Sequence, residues 1–295
     1  MGAARRGASG WRKLGIALRN AFSQGLVESQ VGLEVVGPIF EVHQGEALAY
    51  ALATDDGNPV YFEKSGALVS PLFASRILKD VLEMLILHPR LGMNVLKMVH
   101  AEQTLVFHEP LRAGMELLPT ARIEAIRSVS SGQLADFSVA LRQGDKVVVD
   151  GMATMFVRKA AKKGGKGGEK ALVEQPAWQE LTTFALAPDQ PRRYALASQD
   201  YNPIHTKKWV AKLAGFPRPV AHGLCVIAMT TTRLVEAFGN KDPSRLASIK
   251  LRFSKPAFPG QELTLKVAGE GNTRQFMLEN HKGQPVLSNG EVVFR

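Results

Sequence analysis

The sequence predicts an α+β fold built twice, each copy an antiparallel sheet wrapped around one central helix. Three observations carry this. The segment Tyr50-Ala-Leu-Ala-Thr-Asp-Asp-Gly-Asn-Pro-Val-Tyr61 recurs as Tyr194-Ala-Leu-Ala-Ser-Gln-Asp-Tyr-Asn-Pro-Ile-His205, at a constant offset of 144 residues. Phe107-His-Glu-Pro-Leu-Arg-Ala-Gly114 returns as Phe253-Ser-Lys-Pro-Ala-Phe-Pro-Gly260, at an offset of 146. In each copy one long apolar helix is followed by a run of strands with no helix between them, a meander and not the alternation of a parallel sheet.

Each copy opens on its Tyr-Ala-Leu-Ala segment and breaks at an Asn-Pro turn, because proline drives Asn58 and Asn202 out of helical geometry. The central helices follow, about Leu72–Leu87 and about Gly223–Phe238. The second is apolar around most of its girth for two turns, as suits a helix enclosed by a sheet. Strands are expected near 101–107, 116–126, 134–142 and 146–157, then near 246–253, 262–268, 275–279 and 285–294. Gly144-Asp145 and Lys282-Gly283 mark hairpins. Between the copies, Ala160–Lys170 holds only Ala, Lys, Gly and one Glu, which reads as a solvated linker. The expected organisation is a basic segment over 1–35, a first copy over 36–158, a linker over 159–180 and a second copy over 181–295.

The net charge of +10 suggests nucleic acid, but its distribution argues otherwise. Five basic residues and no acid precede Glu28, and Arg158–Lys170 contributes another +5, so the rest is nearly neutral. A neutral body has no bias toward a phosphate backbone, and no nucleic-acid partner is expected. No apolar run reaches the length of a membrane-spanning helix, so no stable membrane insertion is expected. The Arg-rich N-terminus could line Trp11, Leu14, Leu18 and Phe22 on one helical face, as a mitochondrial transit peptide does. A surface helix of a cytoplasmic protein is the preferred reading, and the last residues, Val-Val-Phe-Arg, carry no peroxisomal Ser-Lys-Leu signal. The single cysteine, Cys225, among Leu224, Val226 and Ile227, reads as a packed, inert thiol and rules out a multi-cysteine metal site. No metal is expected. Gly164-Gly165-Lys-Gly-Gly168 follows no strand and is no phosphate loop.

Asp200 and His205 stand five residues apart across the proline-broken turn, so both can face one water molecule and share acid and base roles. Taken singly, an aspartate before Asn-Pro is commonly a turn residue and a histidine commonly a satisfied polar group. Together, Ala197-Ser-Gln-Asp-Tyr-Asn-Pro-Ile-His205 and His222-Gly-Leu-Cys225 resemble the signature of the MaoC-like, or hydratase 2, family. Arg252-Phe253-Ser-Lys-Pro256 and Pro259-Gly260 resemble its strand motif. The match is strongest over 190–260, and Gln199 stands where the family usually has Gly.

The resemblance implies a double-hotdog fold and (R)-specific hydration of trans-2-enoyl-CoA to (3R)-3-hydroxyacyl-CoA, a lyase of fatty-acid metabolism. It implies no cofactor beyond the CoA thioester that is the substrate, and a homodimer. Asp200 and His205 are then the catalytic pair, with the division of roles left open. Asn202 fixes the turn that presents them, and the Gly223 N–H, at a helix start, receives the thioester oxygen. Glycine there also permits plain close packing, and His222 reads as a cap or packing residue. Lys250, Arg252, Lys255 and Tyr201 are the candidate substrate-binding residues, with Lys207, Lys208 and Arg218 as further cations for the CoA phosphates.

In the first copy Tyr61 replaces the histidine and His-Gly is missing before the helix, so one active site per chain is expected, in the second copy. By analogy the first copy shapes the acyl pocket, which would then admit longer chains, with Leu78, Leu82 and Leu85 as either pocket or core. Two rivals stand beside this reading. One is a hotdog acyl-CoA thioesterase, which aims the same water at the carbonyl carbon. The other is a non-catalytic acyl-CoA-binding protein.

Overall fold

The structure, a computed structural model, describes residues 26, 28–63, 66–91, 93, 98–158 and 176–295. The N-terminal basic helix and the glycine–lysine linker expected above lie outside the described residues. Short strands β1 (Glu34–Val36) and β2 (Phe40–Glu41) lead into helix α1 (Gln44–Ala53) and then the first central helix, α2 (Phe73–Ile86). Four long strands follow: β3 (Met98–Phe107), β4 (Glu116–Val129), β5 (Gly132–Gln143) and β6 (Lys146–Arg158). The second half repeats the plan with β7 (Gln179–Ala185), α3 (Gln190–Ser198), the short α4 (Lys208–Leu213) and the second central helix, α5 (Gly223–Phe238). Strands β8 (Leu246–Phe253), β9 (Glu262–Ala268), β10 (Thr273–Asn280) and β11 (Pro285–Phe294) close it.

All eleven strands form one sheet, in the order β1-β4-β5-β6-β3-β8-β11-β10-β9-β7, with β2 also on β4. The two halves meet where β3 pairs antiparallel with β8, Thr104 opposite Lys250. The repeat offset of 146 residues carries Thr104 onto Lys250. Equivalent residues therefore face each other at the centre of the junction, as a local twofold axis requires. Tyr50 and Tyr194, equivalent at the other offset, also meet, with ring centroids 5.6 Å apart. Each half-sheet wraps one helix, which is the double hotdog.

The central helices are held by burial more than by propensity. In α5, Val226, Ile227, Met229 and Leu234 are at most 1% exposed, and each such side chain is worth about 1.5–3 kcal/mol. Three buried threonines follow one another there, and each hydroxyl donates to the carbonyl four residues back, Thr230 to Val226, Thr231 to Ile227 and Thr232 to Ala228. That pairing lets polar side chains sit inside the core. Leu78 and Leu85 of α2 are buried core and Leu82 packs against it, so these three are core side chains. Cys225 is fully buried, and burial pushes its thiol up to about 12, the behaviour of an inert packed group. Among the described residues no helix is long and apolar enough to cross a membrane.

Candidate active site

The site is made where α3 ends. Its last turn stops at Gln199, which adopts a left-handed backbone (φ 59°, ψ 21°) and turns the chain out of the helix. Glycine takes that conformation without cost, which explains the family's preference there. Asp55, the equivalent of Gln199 in the first half, is left-handed too (φ 53°). The Asp200 N–H then donates to Ser198 Oγ, and Asp200 Oδ1 accepts from the Asn202 N–H. Asn202 caps a single 3₁₀ turn, Pro203–His205, by accepting from the Ile204 N–H. Asn202 thus fixes the turn, as its position predicts. The other oxygen of Asp200 is left for a ligand.

His205 Nδ1 lies 2.9 Å from the Val220 carbonyl oxygen. A carbonyl can only accept, so Nδ1 carries the proton and Nε2 presents a lone pair. Loss of solvent around the ring holds His205 below its ordinary pKa, against the pull of Asp200, so the neutral, basic form prevails at neutral pH. His222 Nε2 donates to the Asp200 carbonyl oxygen at 3.1 Å, and the two imidazoles stack, with centroids 3.7 Å apart. Burial, reinforced by the neighbouring His205, also keeps His222 well below the usual histidine range. His222 is therefore more than a packing residue. It fixes the backbone of Asp200 and covers one face of His205.

The nitrogen and oxygen donors of Asp200, His205 and His222 all lie within 4.8 Å of one another. Stacked rings at 29° present their in-plane lone pairs side by side. One ion about 2.0–2.1 Å from both nitrogens would need those lone pairs to converge. Of the four ring nitrogens, two are already committed to carbonyls. The geometry suits proton transfer and does not suit a metal.

His222 is also the N-cap of α5, and its side chain does not cap the helix. The first amides, from Gly223 onward, keep their donors at the positive end of the helix dipole. A Cβ on Gly223 would lie 2.6 Å from the ring of Phe253, so the glycine packs closely there, and its N–H has no hydrogen-bond partner among the described residues. Phe253 in turn rests on His100, centroids 4.8 Å apart.

The cationic candidates are not brought to this point. Along β8 the side chains of Ile249 and Leu251 are buried, while Lys250 and Arg252 are exposed on the opposite face of the sheet. Arg252 faces Glu102 at 3.5 Å. The structure thus separates Lys250 and Arg252 from the catalytic pair: strand parity sends them away from Phe253 and Gly223. Lys255 lies just past β8 and is exposed, as are Lys207 and Lys208 at the start of α4. Arg218 donates to the Pro259 carbonyl and lies over the Phe258 ring. Tyr201, between Asp200 and Asn202, is 57% exposed at the rim.

In the first half the same positions are closed. Tyr61 Oη donates to Asp56 Oδ2 at 2.9 Å, and burial raises the pKa of both groups. The remaining cavity, about 10 Å³, is lined by Asp56, Tyr61, Ser70 and, from α5, Thr231, Thr232 and Val235. That is room for about one water molecule.

Residues 168–289 match the family described as MaoC like domain, and residues 29–150 match the FAS1-like, dehydratase domain region. The second half of the chain is thus a MaoC-like domain, and the first half matches a dehydratase region. Over 210 residues, 69% of the chain, it is 33% identical to the peroxisomal multifunctional enzyme type 2 of Mus musculus. It is 31% identical over 161 residues, 52% of the chain, to the probable enoyl-CoA hydratase 2 of Dictyostelium discoideum. The chain spans 28% and 54% of the lengths of those two relatives. The crystal structure of a MaoC-like dehydratase from Phytophthora capsici superposes with a TM-score of 0.75 at 22% identity, covering 92% of this chain and 98% of that one. At that identity the superposition speaks for the fold alone.

His222 does more than its place in the sequence suggests, and nothing in the sequence points to Val220. A backbone carbonyl partner such as Val220 leaves no signature in side-chain chemistry. Phe253 could have been found, because it opens the recurring Phe–Pro–Gly landmark.

Proposed function

We propose that this protein adds water across the C2–C3 double bond of trans-2-enoyl-CoA thioesters, giving (3R)-3-hydroxyacyl-CoA, and catalyses the reverse dehydration. The observation that carries the reading is the His205 tautomer. With Nδ1 on Val220, the free Nε2 points a lone pair into the space it shares with the Asp200 carboxylate. A water held by those two acceptors has its oxygen free for C3. As the C3–O bond forms, the water proton passes to His205 Nε2, and Asp200 stabilises the imidazolium. The electron pair of the double bond moves onto the thioester oxygen, which the Gly223 N–H at the head of α5 receives. The imidazolium then returns the proton to C2, the carbonyl re-forms, and both side chains are restored. The water's hydroxyl ends on C3 and its other proton on C2, so atoms and charge balance without a cofactor.

The name of the Dictyostelium relative supports this reading, as do the free donors at the helix start. The first half, with Tyr61 sealing Asp56, contributes no second site. A homodimer belongs to the same proposal, and light scattering of the purified protein decides it. Incubation with crotonyl-CoA tests the reaction. Loss of enoyl absorbance without free thiol, with a 3R product on chiral analysis, is expected. Release of free CoA thiol would instead establish the thioesterase, and binding with neither change a non-catalytic acyl-CoA carrier.

A further inference from the structure

Asp200 has charged neighbours on α2 that the reaction itself does not use. In the first half, Asp56 faces α5: Thr231, Thr232, Val235 and Glu236 line the cavity beside its carboxylate. The local twofold axis exchanges the halves, so α2 stands before Asp200 as α5 stands before Asp56. Ser70, which bonds to Asp56, occupies the place of His222, which bonds to Asp200. That register carries Thr231, Thr232, Val235 and Glu236 onto Lys79, Asp80, Glu83 and Met84 of α2. These four are the residues of this stretch that α2 leaves outside the core: Asp80 and Met84 are exposed, and Lys79 and Glu83 half-buried. The charge of Asp200 reaches these residues. Loss of solvent works against the Lys79 ammonium, and Asp80, Glu83 and Asp200 outweigh it, so its pKa stands above the ordinary value.

Three of the four residues are charged and tied together. Lys79 Nζ lies 2.9 Å from Asp80 and 3.3 Å from Glu83, and Arg76 holds Asp80 from the other side at 2.9 Å. In the hydratase reading the thioester oxygen sits at Gly223 and C3 at Asp200 and His205, and an acyl chain that runs on toward Lys79 meets α2. We propose that Lys79, Asp80 and Glu83 make the acyl end of the cleft polar, so that the protein selects short-chain enoyl thioesters over long apolar ones. This rests on the hydratase reading and names its substrate class. An apolar tail laid against this ladder would strip water from three charges and give nothing back.

The test is the chain-length dependence of kcat/KM for trans-2-enoyl-CoAs from four to sixteen carbons. An apolar tunnel would raise kcat/KM about fourfold per added methylene until it was filled. The expected result is a maximum at four to six carbons and no gain beyond. A steady rise to ten carbons or more would overturn the inference while leaving the hydratase reading standing. No hydration at any length would overturn that reading, and this inference with it. K79M/E83M replaces one ion pair by aliphatic chains and leaves Asp80 held by Arg76. The ratio of ten-carbon to four-carbon kcat/KM should rise at least tenfold in this variant, and an unchanged ratio would contradict the assignment. The ratio is internal, so partial loss of folded protein cancels, and the wild-type series stands without the variant.

Discussion

Replacing Asp200 by Asn separates chemistry from fold. The substituted side chain keeps an oxygen for the Asn202 N–H, and the residue-200 carbonyl still accepts from His222 Nε2, so the local hydrogen bonds survive. The negative charge beside His205 does not. The donors of Asp200 and His205 lie within 4.8 Å. At that distance a unit charge stabilises an imidazolium by about 3.5 kcal/mol at an effective dielectric near 20, worth about 300-fold in rate. Solvent reaches the half-buried carboxylate and trims this, while the amide NH₂, a donor where an acceptor is needed, works in the other direction. A fall in kcat of about 100-fold to 1,000-fold is therefore expected for crotonyl-CoA hydration. Thermal unfolding, followed by circular dichroism, should shift by less than about 3 °C, since no buried contact is lost. Hydration within threefold of wild type, in a protein that melts normally, would refute the assignment of Asp200. An equal collapse of activity and melting temperature would show that the residue is structural.

His205 must be neutral to act, and its pKa is held below the ordinary histidine value, so the acid limb of kcat/KM should lie below about pH 6.5; a limb above pH 7 would contradict a buried neutral base. His222 and His100 are also depressed, His100 to about 4, so between those values and about 6.5 the unfolded chain binds more protons than the folded one; urea midpoints should fall as pH is lowered from 7 to 4, and H100Q should lessen that fall. Gly223→Ala places a methyl 2.6 Å from the Phe253 ring and displaces the helix start, so kcat should drop about 100-fold or more with about 1–3 kcal/mol lost in urea unfolding; unaltered turnover would remove the Gly223 amide from the mechanism. Gln199→Gly relieves a left-handed side chain and should raise stability by up to about 1 kcal/mol with turnover retained, whereas a destabilised variant would deny the strain.

What could be read in the sequence was whatever repeats or alternates. The two offsets exposed the duplication. The apolar stretches gave both central helices, α5 with its bounds 223–238 and α2 one residue shorter at each end than expected. Elements without such a pattern stayed hidden. Helices α1 and α3 have no side-chain N-cap, and the Asn-Pro turn after each draws the eye to a loop. Strands β1 and β2 have three and two residues, too short for any period to register. The edge strand β7 buries a single side chain, Phe184, so its alternation is faint. The face that Lys250 and Arg252 occupy could be read as well. Their neighbours Ile249, Leu251 and Phe253 alternate with them, and that parity alone puts the two cations on the outer face.

The duplication also explains how the first half could lose its chemistry without losing its fold. Among the described residues no hydrogen bond joins the imidazole at position 205 to the Asp200 carboxylate, although their donor atoms lie within 4.8 Å. The longer phenol at position 61 reaches its carboxylate directly, and its hydroxyl oxygen, 2.9 Å from Asp56, stands where the reactive water would stand in the other half. The turn keeps the same aspartate, the same asparagine cap and a left-handed residue in both halves, while the histidine of one half is a tyrosine in the other and His222-Gly223 has no counterpart before α2.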